Sequence, residues 1–326
     1  MTTAVKWWPA TREGLHKGVR GTIWMLKILV PCSLLTFLID TSGLLGYLDF
    51  MLAPAMGFLS LPPEAALPLT AGLLAGIYGA VAALAVLDLS MAETILVAVF
   101  LLISHNIIQE GIVQASSGLN FFKATAARLT ASVATVLCLA PLLPTEGREL
   151  AATAAVVAES GPFVAQLQAW LWDTGILCLQ IFAIITGMMV VMELLRAARI
   201  IPLLARILRP LLWLMGLSHR VGILWLTAAV FGLGYGAAVI VEEARNGAFE
   251  KAEIERLQIS IGINHSLIED PAIFMALGIP AIWLWIPRLI TALVAVHLYR
   301  VWSYWRMRRG NGGLKETVKG PVARSG

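Results

Sequence analysis

Residues 102–111 read LISHNIIQEG, and residues 262–271 read GINHSLIEDP. In each stretch a histidine is followed five residues later by an acid, and the residues around both are apolar. Ionisable side chains inside apolar segments are costly to place in a bilayer, at about 2.5–3.5 kcal/mol each on insertion scales, so they mark functional positions. Their repetition 160 residues apart predicts an internal duplication around a two-fold membrane site, as in many transporters.

The repeat extends beyond these ten residues. Each acid is followed 18 residues later by an Arg-Leu pair, and matching Leu-Thr-Ala and Tyr-Gly-Ala triplets lie upstream. The paired positions are His105 and His265, Gln109 and Glu269, Glu110 and Asp270, and Arg128 and Arg288.

The composition defines the class of protein. Of 326 residues, 59% are hydrophobic and only 13% are charged, whereas a soluble domain has about 25% charged residues. The apolar runs are long and helix-like rather than alternating, which predicts membrane helices and excludes a β-barrel. The net charge of +4 is concentrated in the two tails and one basic segment, so we expect a lipid-bilayer environment and no nucleic-acid partner.

The basic residues predict the orientation. Segment 41–66 has no Lys or Arg, and its counterpart 196–220 has five arginines, so the first should lie outside and the second inside. Both termini are then cytoplasmic and the repeats are inverted, with three full crossings each, if the His-bearing segment is a broken helix or a re-entrant hairpin. The five arginines are Arg196, Arg199, Arg206, Arg209 and Arg220.

The expected fold is therefore an all-α integral membrane protein of two inverted-topology repeats with broken or re-entrant helices. Its five parts are a cytoplasmic N-terminal segment (1–20), repeat one (21–143), an extracytoplasmic linker (144–175), repeat two (176–301) and a basic, disordered cytoplasmic tail (302–326).

The repeated polar residues predict a substrate site between the repeats. An imidazole beside a carboxylate can bind a metal, relay a proton or hydrogen-bond a polar solute. The alternative is that these residues only hold broken helices together. The expected site residues are His105, Asn106, Gln109, Glu110, Asn264, His265, Glu269 and Asp270.

The nature of any bound ion stays open from the sequence. A coupling proton or a divalent cation is the expected cofactor, and a metal would be held by His105, His265, Glu269 and Asp270. No CxxC, HExxH or Ser/His/Asp pattern is present, so we expect no enzyme activity.

Five further charged residues are candidates for counter-ions or gating. Two arginines lie inside membrane helices, where they either pair with the acids or extend to the interface. Three charges end a glycine-rich helix and are either a gate or a solvated helix end. The five are Arg128, Arg288, Glu242, Glu243 and Arg245.

The runs GYGAAVIVEEARNGAF (234–249) and ISIGINHSLIEDPAIF (259–274) resemble the Gate, or nucleoside recognition, family of membrane proteins. That family includes spore-maturation membrane proteins, and related segments occur in B-type ferrous-iron transporters. The resemblance is good over 226–300 and weaker over 69–143, where Gln109 replaces an acid. It implies an inverted-repeat helical transporter whose central site is lined by Asn264, His265, Glu269 and Asp270.

Two main functions remain open at this point, beside a third, an intramembrane metallo-enzyme in which two histidines and three carboxylates hold a divalent ion, although no catalytic motif is recognisable. The first is a bacterial inner-membrane transporter or permease that moves a small polar solute or ion through the repeat interface. The second is a non-transporting membrane assembly or maturation factor, which works with a protein partner or as a homo-oligomer and in which the polar clusters are structural.

Overall fold

The computed structural model describes residues 7–43, 53–144, 162–198, most of 206–229 and 249–312, together with residues 200, 203 and 240. Within these residues the chain is helical and contains no strand. The helices that position the site are α1 (Trp7–Thr41), α2 (Ala66–Ala75), α3 (Ile77–Leu84), α4 (Met91–Ser104), α5 (Ile107–Ser116), α6 (Phe121–Leu139), α7 (Phe163–Ala197), α8 (Arg209–Leu214), α9 (Lys251–Ile263), α10 (Glu269–Met275) and α11 (Ala281–Gly312).

Five of the described helical segments are long and apolar enough to cross a membrane. Large apolar side chains such as Trp24, Leu179 and Ile290 are exposed on them, as expected of surfaces that contact lipid. The expected all-α integral membrane protein is therefore confirmed. The five segments are Trp7–Ile39, Met91–Ser116, Phe121–Leu142, Phe163–Ala197 and Ala281–Trp305.

Helices α1 and α7 are longer than their apolar runs. Helix α1 begins at Trp7, inside the segment 1–20, and α7 begins at Phe163, inside the expected linker. The two pack along their length: a Cβ added at Gly14 would lie 2.5 Å from the Val190 backbone. Close backbone packing of this kind stabilises helix pairs in membranes.

Residues 67–88 are an apolar run whose length predicts one helix, but the structure forms a hairpin of α2 and α3 there. A Cβ on Gly72 would lie 3.1 Å from the Cβ of Ala80, although residues eight apart on a continuous helix are about 12 Å apart. The reversal occurs at Gly76, with φ +90° and ψ −178°. This backbone conformation is available to glycine and strained for other residues, so a glycine within an apolar run ends the helix here.

We expect Gly76→Ala to lower the free energy of unfolding by at least about 1–3 kcal/mol, because alanine is strained at this φ and ψ. Its Cβ would also lie 2.7 Å from Nδ2 of Asn106. Gly187→Ala is the matched control. Gly187 lies inside α7 with no atom within 4 Å of an added Cβ, so alanine should stabilise by about 0.5–1 kcal/mol. Chemical unfolding in detergent measures the free energy of unfolding of each variant. Equal changes in Gly76→Ala and Gly187→Ala would contradict the assignment of the turn to Gly76.

The His-bearing segments are broken helices rather than hairpins. Helix α4 begins at a capping box formed by Ser90 and Glu93, and it ends one residue before His105. Helix α5 then continues beyond the break, and α6 packs along both α4 and α5. In the second half α11 likewise packs against both α9 and α10. The predicted break is present, and the segment that folds back on itself, the α2–α3 hairpin, lies one segment earlier in the chain.

The two halves pack against each other through polar as well as apolar contacts. The hydroxyls of Thr135 on α6 and Thr291 on α11 lie 2.7 Å apart. Gln114 on α5 donates to the carbonyl of Gln258 on α9 at 2.7 Å. Side-chain hydrogen bonds between membrane helices contribute roughly 0.6 kcal/mol each, so these contacts fix the register of the halves.

Candidate functional site

Each histidine sits where a helix stops. His105 follows α4 with φ −60° and ψ 162°, and Asn106 after it is left-handed at φ +48°. In the second half α9 ends at Ile263, and Ser266 has the same left-handed φ of +48°. The two breaks therefore share a local conformation, which releases the histidine from the helix.

The ring of each histidine is oriented by the last turn of its own helix. Nδ1 of His105 lies 2.9 Å from the carbonyl oxygen of Leu101, and Nδ1 of His265 lies 2.8 Å from that of Ile261. A carbonyl oxygen only accepts hydrogen bonds, so each Nδ1 donates. Both rings consequently direct Nε2 away from their helices.

The two Nε2 atoms meet at one carboxylate. Oε1 of Glu110 lies 2.9 Å from Nε2 of His105 and 3.3 Å from Nε2 of His265. The ring centroids are 5.1 Å apart, and all three side chains are buried. Residues 160 positions apart in the chain thus form one cluster between the halves.

Asp270 completes this cluster from the second half. Its Oδ2 lies 3.7 Å from Nε2 of His105, and among the described residues it has no hydrogen-bond partner. Both amide atoms of the neighbouring Asn264 are also without a partner there, although Asn264 is fully buried. A buried polar atom without a partner costs about 1–3 kcal/mol, so these atoms point to a use other than holding the fold together.

The two arginines hold the helix breaks. Arg128 donates to the carbonyls of Ile103 and His105, and its Nη2 lies 2.8 Å from Oε2 of Glu110. These bonds satisfy carbonyls that the end of α4 leaves without a helical partner. Arg128 is 1% exposed, so it does not extend to the membrane surface.

Arg288 repeats only part of this arrangement. Its Nη2 donates to the carbonyl of His265 at 2.7 Å, as Arg128 does to that of His105. Within the described part of the chain, however, it forms no ion pair with Asp270, and its Nε and Nη1 have no hydrogen-bond partner. The structure therefore brings one Arg–acid pair together and leaves the other pair apart.

Glu269 contacts the α2–α3 hairpin instead of the histidines. The hydroxyl of Tyr78, two residues beyond the turn, donates to Oε1 of Glu269 at 3.1 Å. The Tyr-Gly-Ala triplet marks this tyrosine in the sequence as part of the repeat, but nothing there places its hydroxyl at the site. The contact joins the hairpin of the first half to the acids of the second.

Two of the expected site residues lie outside the cluster. The Gln109 side chain is exposed, and Asn106 packs against the hairpin turn, since its side chain occupies the space a Cβ on Gly76 would need. On a continuous helix Gln109 would share a face with His105, four residues earlier, and the break at His105 removes that geometry. The gating candidates Glu242, Glu243 and Arg245 lie outside the described residues, as do Arg199 and Arg220.

The fold and the site together define an integral membrane protein with a buried polar cluster built from both halves of the chain. Among curated proteins, the chain is similar to the "Uncharacterized membrane protein YvoD" of Bacillus subtilis (strain 168), at 28% identity over 297 residues. The alignment covers 90% of this chain and 95% of that protein. No protein-family model matches the chain, and no solved structure matches it.

Proposed function

We propose that the protein is a transporter or permease, not an enzyme, and that a small polar solute or ion passes through the cluster between the two halves. The observation that carries the proposal is the convergence of His105 and Glu110 with His265 and Asp270 at two helix breaks. Non-helical backbone at membrane depth is tolerated where protein or a water-filled cavity covers it, which is the usual setting of a transport site.

The helix pattern supports the inverted relation between the halves. With α2 and α3 as a re-entrant hairpin, the first half crosses the membrane three times, through α1, the broken helix α4–α5, and α6. In the second half α7 and α11 are also among the five candidate spans, and we count α9–α10, which is not one of them, as the counterpart of α4–α5 and the third crossing. An odd number of crossings places the second half upside down relative to the first. This is the arrangement that the Gate resemblance implies.

The number of crossings and the distribution of basic residues together predict the orientation of the protein in the membrane. Three crossings per half leave both termini on one side of the membrane, and the basic segments assign that side to the cytoplasm. A relative in Bacillus subtilis described as a membrane protein fits a bacterial cytoplasmic membrane. The exposed basic side chain of Arg206, in the region after α7, would then face the cytoplasm.

The alternative, a membrane assembly factor with structural clusters, explains only part of the site. Arg128 and Arg288 do lock the helix breaks, which favours a structural role for the arginines. A purely structural cluster would not need Oδ2 of Asp270 or the Asn264 amide, because neither has a hydrogen-bond partner in the described part of the chain. Buried groups kept without partners are expected of a binding site whose ligand supplies them.

Sided cysteine labelling tests transport without knowledge of the cargo. In a chain whose three native cysteines are replaced by alanine, Asn264→Cys should react with a membrane-impermeant methanethiosulfonate in both right-side-out and inside-out vesicles. The reason is that alternating access opens the cluster to each side in turn. The native cysteines Cys32, Cys138 and Cys178 are all free thiols.

Val97→Cys is the control for this experiment. Val97 lies in α4, is fully buried among apolar residues and should be labelled from neither side. Labelling of Asn264→Cys from only one side, or from neither, would contradict transport through the cluster and favour the assembly factor.

A further inference from the structure

We infer that the cluster is a binding site for one divalent transition-metal ion, with His105 Nε2, His265 Nε2 and the Asp270 carboxylate as its ligands. The inference rests on the proposed function and deepens it by naming the class of the transported solute. One donor atom from each of the three residues lies within 4.8 Å of the other two, and all three residues are buried.

The orientation of the histidines is that of metal ligands. A histidine that binds a metal through one ring nitrogen commonly donates from the other to a carbonyl or carboxylate, which fixes the ring and its tautomer. Both His105 and His265 do so, through Nδ1 to the carbonyl four residues earlier. Each ring therefore offers the Nε2 lone pair to the centre of the cluster.

The centre of the cluster lacks a positive partner for these lone pairs. In neutral rings with Nδ1–H, both Nε2 atoms are acceptors, and they face Oε1 of Glu110, which is also an acceptor. Oδ2 of Asp270, 3.7 Å from His105 Nε2, is a further acceptor. These four acceptor atoms need protons or a cation between them, and one divalent ion held by His105, His265 and Asp270 can take the place of those protons.

The charge balance favours a cation over an anion. The carboxylates of Glu110, Glu269 and Asp270 outnumber the guanidinium groups of Arg128 and Arg288 by one. Arg128 uses Nε and Nη2 on two carbonyls and Oε2 of Glu110, so an anionic solute would find only its Nη1 and the Nε and Nη1 of Arg288 without a partner in the described part of the chain. Of the three carboxylates, Asp270 faces a histidine nitrogen at 3.7 Å without an arginine partner among the described residues.

The donor types select the kind of metal. Imidazole nitrogen with carboxylate oxygen suits zinc, cobalt, nickel and iron, whereas magnesium and calcium prefer oxygen donors alone. Donor atoms at a zinc ion are about 3.4 Å apart, given bonds of about 2.1 Å and tetrahedral geometry. A separation at the 4.8 Å limit must therefore shorten by up to about 1.4 Å on binding, whereas Oδ2 of Asp270 and Nε2 of His105, 3.7 Å apart, are already close to this spacing.

The test uses the purified, untagged full-length protein in detergent, stripped of metal with a chelator and titrated with CoCl₂. We expect one Co²⁺ per chain by elemental analysis, visible absorption bands of a low-coordinate cobalt site, displacement by ZnCl₂, and no displacement by MgCl₂. His265→Ala and Asp270→Ala should each weaken Co²⁺ binding on the order of 100-fold or more. Loss of a residue that only hydrogen-bonds a metal ligand already weakens metal binding about 10–100-fold.

Gln109→Ala is the matched control, because the structure places that exposed side chain on α5 outside the cluster, and binding should not change. His105→Gln and Asp270→Asn serve if an alanine variant fails to fold, as judged by its elution volume and metal-free melting temperature. Failure of the wild type to bind one ion, or unchanged binding in folded His265 and Asp270 variants, would overturn the inference.

The two proposals fail separately. Stoichiometric Co²⁺ binding without two-sided labelling of Asn264→Cys would keep the metal site and reject transport. Two-sided labelling without Co²⁺ binding would keep transport and reject the metal as its solute.

Discussion

Replacing Arg128 by alanine should lower the free energy of unfolding by about 3–5 kcal/mol, which is the cost of removing one partner of a buried ion pair. Arg128 donates to two carbonyls at the end of α4 and pairs with Glu110 at 2.8 Å. Its removal leaves a buried carboxylate without its cation and two carbonyls without a donor. The measurement is equilibrium unfolding by dodecyl sulfate in mixed micelles, followed by far-ultraviolet circular dichroism.

Arg196→Ala is the control, because Arg196 also pairs with an acid but does so near the end of α7. Its Nη1 lies 2.8 Å from Oε1 of Glu193, and its side chain is 30% exposed. Exposed pairs contribute about 0–1 kcal/mol, so this variant should lose less than about 1 kcal/mol. A loss of similar size in both variants, or a loss under about 1 kcal/mol for Arg128→Ala, would show that Arg128 does not hold the break.

The sequence was sufficient to predict broken helices in the two His-bearing segments but not that the breaks fall at the histidines, because ionisable groups in apolar segments leave a visible pattern and backbone angles do not. The duplication paired His105 with His265, and the structure brings their rings to 5.1 Å. Composition alone predicted the membrane helices, since the charged fraction is far below that of a soluble domain.

The sequence did not predict which segment folds back on itself. The run around Gly76 is uniformly apolar, so its periodicity is the same for a crossing helix and for a hairpin. The reversal depends on one backbone conformation at Gly76 and on the Asn106 side chain packed against it. Neither a φ angle nor a contact across 30 residues is visible in the spacing of apolar residues.

The details of the site also depended on tertiary structure. The break at His105 changes which side chains face inward, so Gln109 is exposed while Glu110 is buried. The Tyr78–Glu269 bond joins elements 191 residues apart, and no local pattern reports it. Residue types inside the apolar segments therefore pointed to the buried polar cluster, and the backbone breaks determine which side chains belong to it.

The second large effect is expected of Asp270→Asn, which should lose metal binding without losing stability. Asp270→Asn should leave the free energy of unfolding unchanged or raise it by about 1 kcal/mol, and it should abolish the increase in melting temperature caused by ZnCl₂. Oδ2 of Asp270 has no hydrogen-bond donor among the described residues and lies 3.7 Å from a histidine nitrogen that also accepts. An amide at this position supplies a donor and removes one unit of the excess negative charge.

The sign of the stability change distinguishes between the two candidate functions, a transporter with a binding site and an assembly factor with a structural cluster. A purely structural cluster requires the Asp270 charge, so the substitution should then destabilise by several kcal/mol, as the loss of a buried ion-pair partner does. A binding site keeps an unsatisfied group at a cost in stability and recovers that cost from its ligand. For wild type at a Zn²⁺ concentration of about 100 times Kd the ligand adds about 2.7 kcal/mol, and this gain should be absent from Asp270→Asn.

Differential scanning fluorimetry with and without ZnCl₂ measures both effects in one experiment, with Gln109→Ala as the variant expected to match wild type in each. Gln109 is the neighbour of Glu110 on α5, and its polar side chain is exposed. A lower metal-free melting temperature for Asp270→Asn, with the ZnCl₂ effect retained, would assign Asp270 to the packing of the broken helices. A melting temperature that is unchanged or raised and no longer responds to ZnCl₂ is the result that a buried cation site requires, because the carboxylate that supplies the ligand does not stabilise the empty fold.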